Sequence, residues 1–563
     1  MTTVLAQAAE SRLDTAWYDY LFIVFYFALV LGIGIAARRS VSSSLDFLLS
    51  GRSLPAWVTG LAFISANLGA LELIGMTANG VKYGVPTVHY YWVGAIPAMV
   101  FLGIVMMPFY YGSKARSVPE FLRKRFNTTT QRVQGVAFAL ASVLIAGVNL
   151  FALGLVMEAL LGWSLAVAIP VAALVVLAYT FLGGLSAAIY NEVLQFFVIL
   201  ALLIPLTVAG LVRVGGWSGL KEKITAAGYP DDLTSWPGTA LTQIPNGFLS
   251  VIGIVFGLGF VLSFGYWTTN FAEVQRALSA RSMSAARRTP IIGAFPKALI
   301  PLVIVVPGMI AGVLVPQLVQ LKQAKGESPT GVTYNDTLTL LMGEVLPNGL
   351  LGVALAGLLA AFMAGMAANV SSLNTVFTYD LWQDWIRPGR SDRYYLQVGR
   401  AVTVIGCLLA IGTAFIASGS QNLMDYIQSL FSFFNAPLFA IFILGLFWKR
   451  MTGPAGWTGL VSGTAAALVI DRLVAAKVID VSSQAGSFIG ASAAFVVGVL
   501  VAVIVSMFTT PKTDEELKGL VWSLTPKEAR THDATGADAG WYRSPVTLGS
   551  MVIALTVVLY IVF

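Results

Sequence analysis

The residues best suited to chemistry stand where an apolar chain should least carry them. Residues 61–76 read LAFISANLGALELIGM, part of a stretch long enough to cross a bilayer, yet they include Ser65, Asn67, Gly69, Glu72 and Gly75. A charge at membrane depth costs at least ~2.5 kcal/mol, so a purely structural span would not contain Glu72. Asn67 and Glu72 supply polar side chains, and Gly69 and Gly75 can release backbone carbonyls. The composition predicts a broken transmembrane helix lining a site near mid-membrane. Glu72 suits a proton carrier, a counter-charge to a cation, or a carboxylate satisfied by released N–H groups. Lys297 lies in a second apolar run, as a site residue or as a lysine snorkelling to the interface. Glu192 and His89 are further candidate proton groups; for each the competing role is interfacial, His89 lying in the aromatic run of residues 88–92. Tyr266, beside Trp267, either plates a ring or packs.

The rest of the inventory excludes other chemistries. His89 and His532 are the only histidines, and there is no zinc-type Cys/His spacing, nucleophile elbow or phosphate-cradling loop. An enzyme, an ATP-driven pump and a cofactor are not expected. The single cysteine, Cys407, lies in an apolar run and forms no internal disulfide. The N-terminus shows no basic segment followed by a small-residue cleavage site.

These residues must be positioned by helices. The 563 residues are 57% hydrophobic and 11% charged, against roughly 25% charged in soluble proteins. With ~20 apolar residues per span, the chain reads as an all-α polytopic membrane protein of about fourteen transmembrane helices. They fall near 18–37, 54–80, 86–111, 133–161, 163–182, 185–212, 248–276, 290–316, 347–380, 399–418, 422–448, 454–475, 485–508 and 545–563. Alternate loops hold 24 of the 34 basic residues, Arg39 and Arg116 among them. These loops are expected on the cytoplasmic side, which puts both termini outside. The net charge of +7 follows from them and does not imply nucleic acid.

Residues 1–53 read as an N-terminal external tail, an extra helix and a cytoplasmic loop. Two five-helix blocks follow, 54–213 and 248–448, separated by an external loop at 214–247. An odd number of spans gives the blocks opposite topology, an inverted repeat. The second block opens on the glycine-rich segment 257–266, a second interrupted helix. Residues 449–563 add further helices and a cytoplasmic loop at 511–542, read as a linker without chemistry.

Three stretches together resemble one family. They are Gly183-Gly184-Leu185-Ser186-Ala187 with residues 190–195 after it, residues 445–450 (GLFWKR), and the pair Ser65-Ala66-Asn67 and Ile74-Gly75-Met76. The chain resembles the sodium/solute symporter family, most closely its bacterial sodium/galactose branch, over residues 18–475. The resemblance implies a LeuT-like five-plus-five fold with broken helices, a central solute site and alternating access. It places Asn67, Lys297 and Gln428 on sugar hydroxyls, Tyr266 beneath the sugar ring, and Met76 at the outer gate. Other positions of the sugar shell depart: Glu72 replaces a glutamine, Tyr91 a glutamate, Gly94 a serine, Ser263 an asparagine and Met424 an aromatic gate. The family's sodium positions fall on Ser65, Leu68, Ala361, Ala364 and Gly365, where Ala364 and Gly365 replace two hydroxyl ligands. A hard cation needs a shell of oxygens, so that site looks degraded. Glu192 stands where the family has an aspartate.

The expected function is secondary active transport of a small polar solute, a sugar or polyol, through the plasma membrane, driven by a proton or by no ion. The alternatives are a non-transporting solute sensor on the same scaffold and a sodium-coupled carrier of a non-sugar metabolite. The lipid bilayer is the other expected partner. The solute's identity and the oligomeric state are left open.

Overall fold

The computed structural model describes residues 13–38, 43–324, 331–420, 422–531 and 540–563. Residues 1–12, Arg39 and His532 lie outside the described residues, as do residues 532–539 of the expected loop. Among the described residues the elements are helical, apart from an isolated bridge between Leu54 and Ala280.

In chain order the long helices and their breaks are α1 (Trp17–Arg38), α2 (Ala56–Asn67), α3 (Leu71–Tyr83), α4 (Val85–Gly112), the short α5 (Val118–Arg125) and α6 (Thr128–Leu161). Then come α7 (Leu165–Val214), α8 (Gly247–Thr269), the short α9 (Phe271–Leu278), α10 (Met283–Leu314), α11 (Leu350–Ile386) and α12 (Asp392–Ala417). The chain ends with α13 (Leu423–Phe447), α14 (Gly453–Ala475), α15 (Ser483–Met507) and α16 (Pro545–Val562). Among the described residues, twelve helices are long and apolar enough to cross a membrane, and α2 with α3 makes a thirteenth span bent by 57°. Helix α7 runs from Leu165 to Val214 with a kink at Gly184, and its limb before the kink falls on the expected span at 163–182.

Three breaks shape the bundle. Leu68 leaves the helix at φ −75°, ψ 44°, which separates α2 from α3. Asn270 is extended at ψ 114° and separates α8 from α9, its side chain capping the Ala272 N–H at 3.0 Å. The second break therefore falls after the glycine-rich segment, which is itself a wide π-helical stretch over Gly253–Ser263. Gly184 turns α7 with φ 56° and ψ −148°, a backbone state open mainly to glycine. A Cβ there would also lie 2.5 Å from the Phe47 carbonyl oxygen. This local demand explains the Gly-Gly-Leu-Ser stretch.

The helices sort into a core and a rim. The apolar stretch of α11 is 89% buried, whereas that of α14 is 22% buried and faces outward. Gly80 and Gly308 bring α3 and α10 nearly into backbone contact, since a Cβ on Gly80 would sit 3.0 Å from the Gly308 Cα. Close approach of this kind substitutes for a hydrophobic driving force that lipid does not provide.

The basic loops meet at one end. Arg125, buried there, donates to the carbonyls of Gly445, Trp448 and Met451 at 2.7, 3.0 and 3.0 Å, closing the C-terminus of α13. Arg123 pairs with Asp384 at 2.7 Å, and Lys512 reaches the Lys124 carbonyl at 2.8 Å. Trp522 packs on Phe109 and Phe447, so the described part of the segment after α15 docks on this end. At the opposite end Lys322 pairs with Asp232 and donates to the Val81 carbonyl at 2.6 Å. There Asp19 also accepts from the N–H groups of Gly349 and Gly352 at 2.7 and 2.8 Å. The Lys and Arg concentration argues that the basic end faces the cytoplasm. In a Cys407→Ser background, a cysteine placed at exposed Glu222 is expected to react with an impermeant maleimide in intact cells. One placed at exposed Arg390 is expected to react only after permeabilisation, and the reverse pattern would invert the topology.

Candidate functional site

The break after Asn67 frees backbone groups inside the bundle, and each needs a partner. The Ala70 N–H donates to Asn149 Oδ1 of α6 at 2.9 Å, and Asn149 Nδ2 donates to the Ile145 carbonyl at 3.1 Å. The Leu68 N–H donates to the carbonyls of Ile64 and Ser65 at 3.1 and 3.0 Å. Gly69 and Gly365 both press on the Asn149 carboxamide, and a Cβ on Gly365 would lie 2.8 Å from Asn149 Cγ. Asn149 therefore ties the break to α6 and fills the space beside α11.

Just above the break, Glu72 and Lys297 form a buried ion pair at 2.5 Å, with side chains 3% and 1% exposed. Lys297 also donates to Asn67 Oδ1 at 2.5 Å, and Tyr91 donates to the other Glu72 oxygen at 2.6 Å. The Lys297 ammonium lies 4.8 Å from the Tyr91 ring centre and 5.2 Å from that of Trp267. Asn67 Nδ2 donates to the Tyr266 hydroxyl at 2.9 Å, and Tyr266 donates to Glu273 at 2.8 Å. One unbroken polar chain thus runs Tyr91–Glu72–Lys297–Asn67–Tyr266–Glu273. It joins α4, α3, α10, α2, α8 and α9. Lys297 does not snorkel; burial and two hydrogen bonds hold it inside.

Asn67, Glu72, Met76, Tyr91, Ser263, Tyr266, Lys297 and Gln428 line a single cavity of about 30 Å³. That is room for roughly one water molecule. The Gln428 carboxamide nitrogen lies 3.8 Å from Met424 sulfur, and its oxygen is buried with no partner among the described residues. Met424 packs on Gly75. Gly94 lies against Ser263, so a side chain at 94 would displace the Ser263 hydroxyl. Phe431 meets the Tyr266 ring at 4.6 Å between centres. Behind α13 a larger cavity of about 470 Å³ is lined by Lys82, Asp425, Ser429, Asp471 and Ser487. Helix α13 is the wall between the two, with Gln428 on one side and Asp425 and Ser429 on the other.

The five sodium positions do not assemble an oxygen shell from side chains. Ala361, Ala364 and Gly365 are buried, and the Gly365 carbonyl already accepts from Asn369 at 2.8 Å. The Ser65 hydroxyl is buried without a partner, and the Ser65 carbonyl is used by Leu68. No cluster of three or more His, Cys, Asp or Glu occurs among the described residues. Glu192 is away from the solute cavity and fully buried against Arg276, with the second contact at 3.2 Å. His89 is also away from it. Its Nε2–H donates to the Ser235 carbonyl at 2.7 Å, and Nδ1 accepts from Tyr560 at 2.7 Å, pinning α16 and the 230s loop.

Asn149 and Glu273 were not singled out by sequence reasoning. Asn149 carries the signal that flagged Asn67, an amide inside a long apolar run. Glu273 falls near the end of the expected span 248–276, three residues before Arg276.

Residues 47–463 match the model of the Sodium:solute symporter family. A Sodium/glucose cotransporter of Vibrio parahaemolyticus is 30% identical, covering 81% of this chain and 85% of its own length. The human Sodium/glucose cotransporter 4 is 30% identical, covering 94% of this chain and 82% of itself. A Sodium/myo-inositol cotransporter 2 of Sus scrofa is 29% identical, over 84% and 71%. Among solved structures, a Na+-coupled sialic acid symporter in a substrate-bound outward-open state has a TM-score of 0.73 at 19% identity. It covers 89% of this chain and all of its own, and the likeness is one of fold.

Removing one partner of a buried ion pair leaves the other charge uncompensated, at a cost of about 3–5 kcal/mol. Glu72→Gln is therefore expected to lower the melting temperature of the purified protein sharply. The double variant Glu72→Leu with Lys297→Met is expected to recover most of the loss. Equal melting of wild type and Glu72→Gln would show that the pair is not charged.

Proposed function

The chain belongs to the sodium:solute symporter family, and from that premise we propose that it moves a small, neutral, hydroxyl-rich solute by alternating access, without a sodium ion at the family's usual positions. The charge balance of the cavity carries this reading. Glu72 and Lys297 cancel each other at 2.5 Å, so the cavity offers hydrogen bonds without a net charge. In that role Glu72 is the counter-charge to Lys297. The buried Gln428 oxygen still has lone pairs to give, and the Tyr266 ring offers an apolar plate. A monosaccharide or related polyol matches that combination. The printed names of the relatives, sodium/glucose and sodium/myo-inositol cotransporters, support the same class. In the described conformation Lys297, Glu72 and Asn67 use their hydrogen bonds on one another. Solute hydroxyls would take over some of these bonds as the cavity widens.

Asn149 supports the departure from sodium. It already ties the helix break to α6 and abuts Gly365, tasks a bound ion would otherwise share. Glu192, Arg276 and His89 serve in this reading as structural contacts.

Uptake by proteoliposomes over a panel of hexoses, pentoses and inositols, with sodium and pH gradients varied separately, tests the proposal. Uptake of at least one of them is expected, with little response to sodium. Solute binding without uptake would point to a sensor instead, and a saturable sodium requirement would restore the family's usual coupling. Loss of one buried hydrogen bond costs ~1–3 kcal/mol. Gln428→Ala and Asn67→Ala should each raise the apparent dissociation constant about 5- to 150-fold, and normal transport by both would remove the site assignment. Gly365→Ser is expected to lower the melting temperature of the purified protein because its side chain meets Asn149.

A further inference from the structure

We propose that Glu273 is a proton-binding site, lying between the solute cavity and the basic end and linked to the solute through the Tyr266 hydroxyl. The inference rests on the transport reading above and names the ion and the group that binds it.

Glu273 is 2% exposed on α9, just past the break at Asn270. One carboxyl oxygen accepts from Tyr266; the other is buried and has no partner among the described residues. The groups facing it come from four elements. Tyr266 comes from α8, Arg276 from α9 itself, Glu192 from α7 and Lys297 from α10. Both cations are already committed, Arg276 to Glu192 and Lys297 to Glu72. Three buried carboxyls therefore share two buried cations, and Glu273 is the one left over. A buried carboxylate with a bare oxygen and no cation is costly. A proton on that oxygen removes the surplus charge.

The surroundings can deliver one. A cavity of about 30 Å³, room for roughly one water, is lined by Glu273, Asn67, Asn149, Asn270 and Asn369. Carboxamides both donate and accept, so they can hold such a water beside the carboxyl. Proton binding would also be felt at the solute. A hydrogen bond to a charged acceptor is roughly twice as strong as one to a neutral acceptor. Neutral Glu273 therefore loosens its hold on Tyr266, and Tyr266 passes the change to Asn67 and Lys297. By linkage, solute binding changes the proton affinity by the same factor.

Infrared difference spectra after a pH jump, on wild type in liposomes, read the proton without needing a solute. A protonated-carboxyl band should appear on acidification, vanish in Glu273→Gln and shift in Glu273→Asp. Solute affinity of the wild type should change by about 5-fold or more across the pH series, and that of Glu273→Gln by less than two-fold. Tyr266→Phe should keep the band while flattening the pH response of binding. No band at any pH, a band that survives Glu273→Gln, or a band that responds to sodium instead of pH overturns the proposal. Failure of every solute to bind, with the band behaving as expected, overturns the transport reading alone. If Glu273→Gln does not fold, the Glu273→Asp shift decides.

Discussion

Inside hydrocarbon every backbone N–H and C=O must find a partner within the protein. That constraint governs the break between α2 and α3. The chain leaves helical geometry at Leu68 and must immediately rehouse the groups it frees. One amide side chain, Asn149, accepts from the Ala70 N–H and sits against Gly69 and Gly365. Those glycines let α2, α6 and α11 approach closely enough for the amide to reach. With the break secured, Asn67 and Glu72 project from its two sides into one cavity.

The second dependency is electrostatic. Glu72 is tolerable at that depth because Lys297 meets it and Tyr91 satisfies its other oxygen. Lys297 is tolerable for the converse reason, with Asn67 and two aromatic faces around it. Each polar side chain in the chain from Tyr91 to Glu273 answers its neighbour's need, so six helical segments are held in register by hydrogen bonds in a site that apolar contacts alone would leave unspecific. Glu192 and Arg276 repeat the device below.

Much of this could be read from the residues themselves. Asn67, Glu72 and Lys297 stood out because polar groups in apolar runs are expensive, and the structure places all three in one cavity. The split of α2 from α3 was legible from Gly69, although that glycine serves close packing as much as carbonyl release. What escaped was set by three-dimensional neighbours. The second break falls at Asn270 because that residue can cap α9, while the glycine-rich segment before it only widens into π-helical turns. Glu273 fell at the end of an expected span, beside Arg276, and its role appears only because α9 folds it back against Tyr266. Asn149 shows in the sequence only as an amide in an apolar run; its meaning comes from Gly69 and Gly365, far away in the chain. The segment after α15 has the composition of a linker, but Trp522 finds a seat between Phe109 and Phe447.

The closeness of Glu72 and Lys297 has an electrical consequence. A membrane potential does work of about 2.3 kcal/mol per elementary charge per 100 mV. Two opposite charges 2.5 Å apart present a small dipole and no monopole to that field. As the pair passes between orientations with its surroundings, it contributes almost no gating charge. Any voltage sensitivity of the transport cycle must then enter through groups other than this pair.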